Sequence, residues 1–138
     1  MIIWMFFIVA LDQVTKYIAV KKLMNQPRKT FGPMIFLYVK NYGGAMGFMR
    51  KKPWLIKWFS VVLLVIVSYL FLTSSDWLHR FALITIIGGG MGNVLDRFTR
   101  GYVVDFYSFK IKKLPYFNIA DFFVIMGCLL LMIVELNV

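Results

Sequence analysis

The sequence predicts an all-α integral membrane protein: four transmembrane helices with a small β-element between the first and the second. Three observations predict it. Apolar residues make up 61% of the 138 and charged residues 16%, against about 45–50% and about 25% in soluble domains; mean hydropathy is +0.77. The apolar residues gather into four stretches, each close to the about 20 residues that a spanning helix needs. The bases behind the net charge of +10 lie mostly between those stretches. Disorder, a basic nucleic-acid-binding domain and an ordinary cytosolic globule are thereby excluded. A single membrane-embedded domain over residues 1–138 remains, with membrane lipids rather than nucleic acid as its neighbours. One cysteine, Cys128, excludes an internal disulfide and a multi-cysteine metal site.

The first span covers residues 1–20 and carries Asp12 and Lys16. Its opening apolar run has no basic segment before it and no small-residue cleavage site after it, so it reads as a span and not a signal peptide. The long first loop, residues 17–53, holds a β-rich region at 31–48. There Ile35-Phe36-Leu37-Tyr38-Val39 reads as a strand and Gly43-Gly44 as a turn or bulge. Spans follow at 54–72 and 77–95, joined by a short loop at 73–76. The third loop, 97–118, mixes Val103-Val104 and an apolar segment with Lys110, Lys112 and Lys113, and the fourth span covers 119–136. Cys128 falls in mid-span and reads as core; His79, the single histidine, reads as interfacial. Repeats and low-complexity tracts are absent.

Charge counting bears on orientation. Loops one and three are basic, whereas loop two offers only Arg80. By the positive-inside rule the two basic loops would be cytoplasmic.

The six acids are Asp12, Asp76, Asp96, Asp105, Asp121 and Glu135. Ionisable groups near spans default to pairing or function, because a charge at the bilayer centre costs about 2.5–3.5 kcal/mol even on insertion scales. Asp12 precedes Lys16 by one helical turn and reads as a structural ion pair closing the end of span one. Span three ends in Gly88-Gly89-Gly90-Met91-Gly92-Asn93-Val94-Leu95-Asp96-Arg97. Its glycines suit close helix packing, while Asn93, Asp96 and Arg97 share a polar face. Asn118 fits a helix N-cap with Asp121 at N3. Asp76 and Glu135 read as solvated charges at span ends.

Asp105 and Asp121 flank one loop, so both can lie at one membrane face. Two carboxyls meeting in a partly dry pocket share a proton, leaving a neutral acid beside a carboxylate base. Such a pair can activate water and protonate a leaving amine. Other hydrolytic arrangements are poorly represented: Cys128 has no histidine partner within reach, and serine nucleophile signatures are absent.

Four segments together resemble one family. They are Asp12-Gln13-x-x-Lys16; Asn41-x-Gly43-x-Ala45; Gly88-Gly89-x-x-Gly92-Asn93-x-x-Asp96-Arg97-x-x-x-Gly101-x-Val103-Val104-Asp105-Phe106; and Phe117-Asn118-x-Ala120-Asp121. In this order they are similar to the lipoprotein signal peptidase (signal peptidase II) family, over essentially the whole chain. The resemblance implies a bacterial, four-span aspartic endopeptidase of the cytoplasmic membrane. It would remove signal peptides from prolipoproteins, cutting before a diacylglyceryl-modified cysteine. It implies Asp105 and Asp121 as the catalytic dyad, with neither assigned as base or acid. Asn41, Gly43, Asn93, Arg97, Asn118 and Ala120 become substrate-binding or supporting residues, and Asp12, Lys16 and Asp96 structural ones. Region 31–48 becomes a β-cradle holding substrate at the extracytoplasmic face, with no metal, no cofactor and a monomeric chain.

The family's orientation reverses the one from charge counting, and the motif match is the more specific guide. Gly90 stands where the family usually has Ala, and Met46 where Phe is common. Two other classes compete: a small transporter or channel with Asp12, Lys16, Asp96 and Arg97 along a polar path, and a non-catalytic lipoprotein-binding factor.

Overall fold

A computed structural model describes residues 1–43 and 52–136. Gly44, Ala45 and Met46, which figured in the motif reading, lie outside the described residues, as does the end of the 31–48 region. The elements run α1 (Ile2–Leu23), β1 (Lys29–Phe31), β2 (Met34–Asn41), α2 (Pro53–Thr73), α3 (Trp77–Thr99), β3 (Val103–Phe109) and α4 (Ile119–Leu136). All four helices are long and apolar enough to cross a membrane.

The core of the bundle is α3, which packs against α4, α1 and α2. Its glycines allow the approach. A Cβ added at Gly89 would lie 2.5 Å from the backbone oxygen of Ala120, and one at Gly92 2.5 Å from Asp12 Oδ2. Here absent side chains set the distance between helices. By contrast α2 has no buried residue and lies outermost: Leu64 packs toward Gly90 of α3, while Trp54, Val62, Val65 and Ile66 are exposed toward lipid. Cys128 is exposed too, which corrects its reading as core: it sits on the lipid side of α4, where an apolar residue needs no protein neighbour.

The β-element is a three-stranded antiparallel sheet in the order β1-β2-β3. Gly32, at φ +56, makes the tight turn between β1 and β2. The third strand comes from the loop between α3 and α4, so the sheet is not confined to the first loop. Val103-Val104 supplies the β-branched start of that strand. Register sets its chemistry: Asn41 pairs with Val103 and Val39 with Asp105, so Asn41 and Asp105 are diagonal neighbours on one face. Residues 110–116 then fold back. Phe117 pairs with Tyr107, its N–H donating to Tyr107 O at 2.7 Å and its carbonyl accepting from Phe106 N at 2.9 Å. That pairing delivers Asn118 to the start of α4 alongside β3.

Candidate active site

Two buried polar layers lie where α1, α3, β3 and α4 converge. The deeper one is built on Lys16, which has no exposed surface. Its Nζ lies 2.7 Å from Asp12 Oδ2 and 3.1 Å from Asp96 Oδ2, and donates to Asn93 Oδ1 at 3.1 Å. Asp12 also accepts from Ala120 N at 2.9 Å, and Asp96 from Val104 N at 3.0 Å. Each carboxylate therefore compensates the lysine and ties a neighbouring backbone, as buried charges require. The Asp12–Lys16 pair lies in the interior of α1, not at the span's end, because Asp96 arrives from α3 to share the lysine. Asp12, Lys16 and Asp96 are wholly buried and bonded to one another. They cannot line an aqueous path, so the transporter reading is set aside.

Gln13 and Arg100 complete this layer and were not singled out as site residues from sequence. Gln13 Nε2 donates to Asp96 Oδ1 at 3.1 Å and to Gly92 O at 3.2 Å, and Arg100 donates to Gln13 Oε1 at 3.2 Å and pairs with Asp96. A signal was present for Arg100: it follows Asp96 by four residues on one helix face.

The second layer holds the carboxyls of Asp105 and Asp121. Asn118 stands between them. Its Nδ2 donates to Asp105 Oδ1 at 2.8 Å, and its Oδ1 accepts from Asp121 N at 2.9 Å. Asp121 Oδ2 in return accepts from Asn118 N at 3.2 Å, so the two residues form a reciprocal cap on α4. Asn93 reaches across from α3, donating to Asp121 Oδ1 at 2.8 Å while its own oxygen accepts from Asn118 Nδ2 at 3.0 Å and from Lys16. On the far side Asn41 donates to Asp105 Oδ2 at 2.8 Å, and Gly43 N holds the Asn41 oxygen at 3.1 Å.

Asp105 and Asp121 open onto one cavity of about 220 Å³, with Asn41, Asn93, Arg97 and Tyr116 also in its lining. Arg97 Nη1 donates to the Asn93 carbonyl at 3.3 Å. Pro115, Phe117, Val124 and Ile125 form an apolar wall. Gly43, Asn118 and Ala120 do not line the cavity and stand behind it. Tyr107, also not singled out from sequence, donates its hydroxyl to Asn118 O at 3.3 Å.

Burial pushes the Asp105 carboxyl up to about 7, with the nearby Asp121 charge adding to the rise and the Asn41 and Asn118 hydrogen bonds opposing it. Only 2% of Asp105 is exposed. A carboxyl so placed is half protonated near neutral pH and can both donate and accept a proton. Among the described residues no group of three His, Cys, Asp or Glu side chains converges as a metal site would need.

The family model described as Signal peptidase (SPase) II matches residues 4–137. A lipoprotein signal peptidase of Caldicellulosiruptor bescii is 40% identical over 122 residues, covering 88% of this chain and 80% of that protein. One of Caldanaerobacter subterraneus is 38% identical over 135 residues, covering 91% and 88%. A solved structure described as a bacterial membrane enzyme superposes with a TM-score of 0.86 at 28% identity, covering 99% of this chain and 87% of that one.

Proposed function

The chain belongs to the signal peptidase II family, and from this premise we propose that it removes signal peptides from prolipoproteins with Asp105 and Asp121 as an aspartic dyad. That it is a multi-pass bacterial membrane protease follows from the family and the four spans. The observation that carries the aspartic chemistry is the convergence of two carboxyls from separate elements on one cavity.

The pair holds one proton around neutral pH. It rests on Asp105, which sits on a strand and is raised by burial and by its neighbour's charge. Asp121 sits in the first turn of α4, where its carboxyl oxygens accept from Asn93 Nδ2 at 2.8 Å and from Asn118 N at 3.2 Å. Asp121 takes a proton from water as the water attacks the scissile carbonyl, and Asp105 hydrogen-bonds the carbonyl oxygen. The proton then passes to the leaving amine. Asn93, Asn118 and Asn41 fix both carboxyls, and Arg97 faces the cavity as a donor to substrate backbone carbonyls.

Substrate arrives laterally, to a site at the level of the headgroups. The acyl chains of a diacylglyceryl cysteine stay in the bilayer and the signal helix packs against the spans, which places the bond before that cysteine over the dyad. The site opens to the extracytoplasmic side, the cradle strands flanking it. Incubating the purified protein with diacylated and unacylated prolipoprotein peptides tests this. Cleavage only of the first, with the lipidated cysteine as the new N-terminus, is expected. Equal cleavage of both, or a cut elsewhere, removes the reading.

A further inference from the structure

A second concavity lies next to the carboxyl cavity and takes no part in the chemistry above. It measures about 500 Å³ and is lined by Arg28, Lys110, Lys112 and Lys113 together with Ser108, Ile111 and Tyr116, among others. No carboxylate lines it, and among the described residues none of the four bases enters an ion pair. Four like charges around one groove repel one another unless an anion enters it.

The groove is built by backbone. Lys110 N donates to Pro33 O at 2.9 Å, which pins the lysine loop to the turn between β1 and β2. Leu114 N donates to Ile111 O at 3.2 Å, closing a tight turn in which Lys113 adopts φ +67. That is a left-handed conformation disfavoured for a side chain such as lysine. Apolar groups stand beside the bases: Ile111 is 64% exposed and Phe31, on the adjoining sheet edge, 80%. Bases flanked by exposed apolar side chains fit a headgroup layer, where the apolar groups enter the acyl boundary and the bases meet phosphates. The loop also ends at the start of α4, at the same end of the bundle as the carboxyl pair.

We propose that this groove binds the phosphodiester headgroup of an anionic phospholipid. Tyr116 lines both the groove and the carboxyl cavity, so the lipid is held one side chain away from the site. The proposal stands on charge and shape and does not depend on the hydrolytic mechanism.

Native mass spectrometry of the purified full chain, titrated with phosphatidylglycerol and with phosphatidylcholine of equal acyl length, tests it. The wild type is expected to retain phosphatidylglycerol at least tenfold better. Substituting Lys110→Gln, Lys112→Gln and Lys113→Gln together should weaken that binding by about one to two orders of magnitude at low salt and abolish the preference. An unchanged melting temperature certifies the variant. Should it unfold, the milder Arg28→Gln, Lys112→Gln pair takes its place. Equal retention of both lipids by the wild type overturns the proposal, as does an undiminished preference in a folded variant. Displacement of phosphatidylglycerol by equimolar inorganic phosphate overturns it too, because the groove would then be a site for free phosphate.

Discussion

Asn118 hydrogen-bonds the Asp105 carboxyl at 2.8 Å while capping the helix that carries Asp121. One amide thus sets the positions of both carboxyls, joining a strand to a helix start. Asn118→Ala should therefore do two things at once. Loss of the cap costs about 1 kcal/mol, read as a lower melting temperature. Loss of the positioning bonds lowers kcat by a sizeable share of the about 10²–10⁴ that acid–base catalysis supplies. A variant that melts earlier yet turns over at the wild-type rate would show that Asn118 is a cap and nothing more.

The raised Asp105 pKa predicts a pH dependence of rate. Above about pH 7 the shared proton is lost, the acid partner disappears, and kcat should fall about tenfold per pH unit along the alkaline limb. A profile flat from pH 6 to 9 would contradict the assignment of the proton to this pair.

The same shift predicts a pH dependence of stability, with a definite sign. The folded protein holds the Asp105 proton up to about 7, whereas the unfolded chain releases it near 3.8. Between those values the native state binds more protons, so this residue destabilises the fold progressively as pH rises through that window. Asp105→Asn cannot ionise. Its melting temperature should gain on the wild type's as pH goes from 5 to 8. A constant gap would place the carboxyl in a wetter setting than the one described.

Lys16 is expected to matter first to the fold. Removing one partner of a buried ionic cluster costs about 3–5 kcal/mol because the charges left behind are uncompensated. In Lys16→Met these are Asp12 and Asp96, at 2.7 and 3.1 Å from the lost ammonium. Thermal melting should fall sharply and recover in part when Asp12→Asn is added. Unaltered melting in the single variant would refute the cluster's structural role.

Two neighbouring glycines should respond oppositely. A Cβ at Gly89 meets the Ala120 backbone oxygen at 2.5 Å, whereas one at Gly90 meets only Leu64 Cδ1 at 3.0 Å, the movable end of a side chain. Gly89→Ala should push α4 away and lower both stability and activity. Gly90→Ala should be tolerated or stabilising, since alanine is favoured over glycine in a helix by about 1 kcal/mol. Paired melting and turnover measurements would separate them.

These residues also mark what a sequence can disclose. The helices were legible because lipid imposes apolar runs of fixed length, and the Asn118–Asp121 cap because its spacing is local. The strand at 35–39 was visible in its β-branched and aromatic residues. The partner strand at Val103–Phe109 was only half visible, because joining a sheet across two loops depends on register, which no local pattern encodes. For the same reason Asn41 and Asp105 could be named individually, yet their meeting follows only from the pairing of Asn41 with Val103. Gln13 stood in the motif without a role and Arg100 outside it, because the value of both lies in groups brought to them by other elements. Cys128 misled because a bundle this small turns much of each span toward lipid, where apolar residues are not core.

The most direct test compares purified Asp105→Asn and Asp121→Asn with the wild type on a diacylated prolipoprotein peptide, with melting curves confirming that each variant is folded. Both variants are expected to bind the peptide, and neither to cleave it detectably. Sustained cleavage by either folded variant would contradict a shared-proton pair at positions 105 and 121.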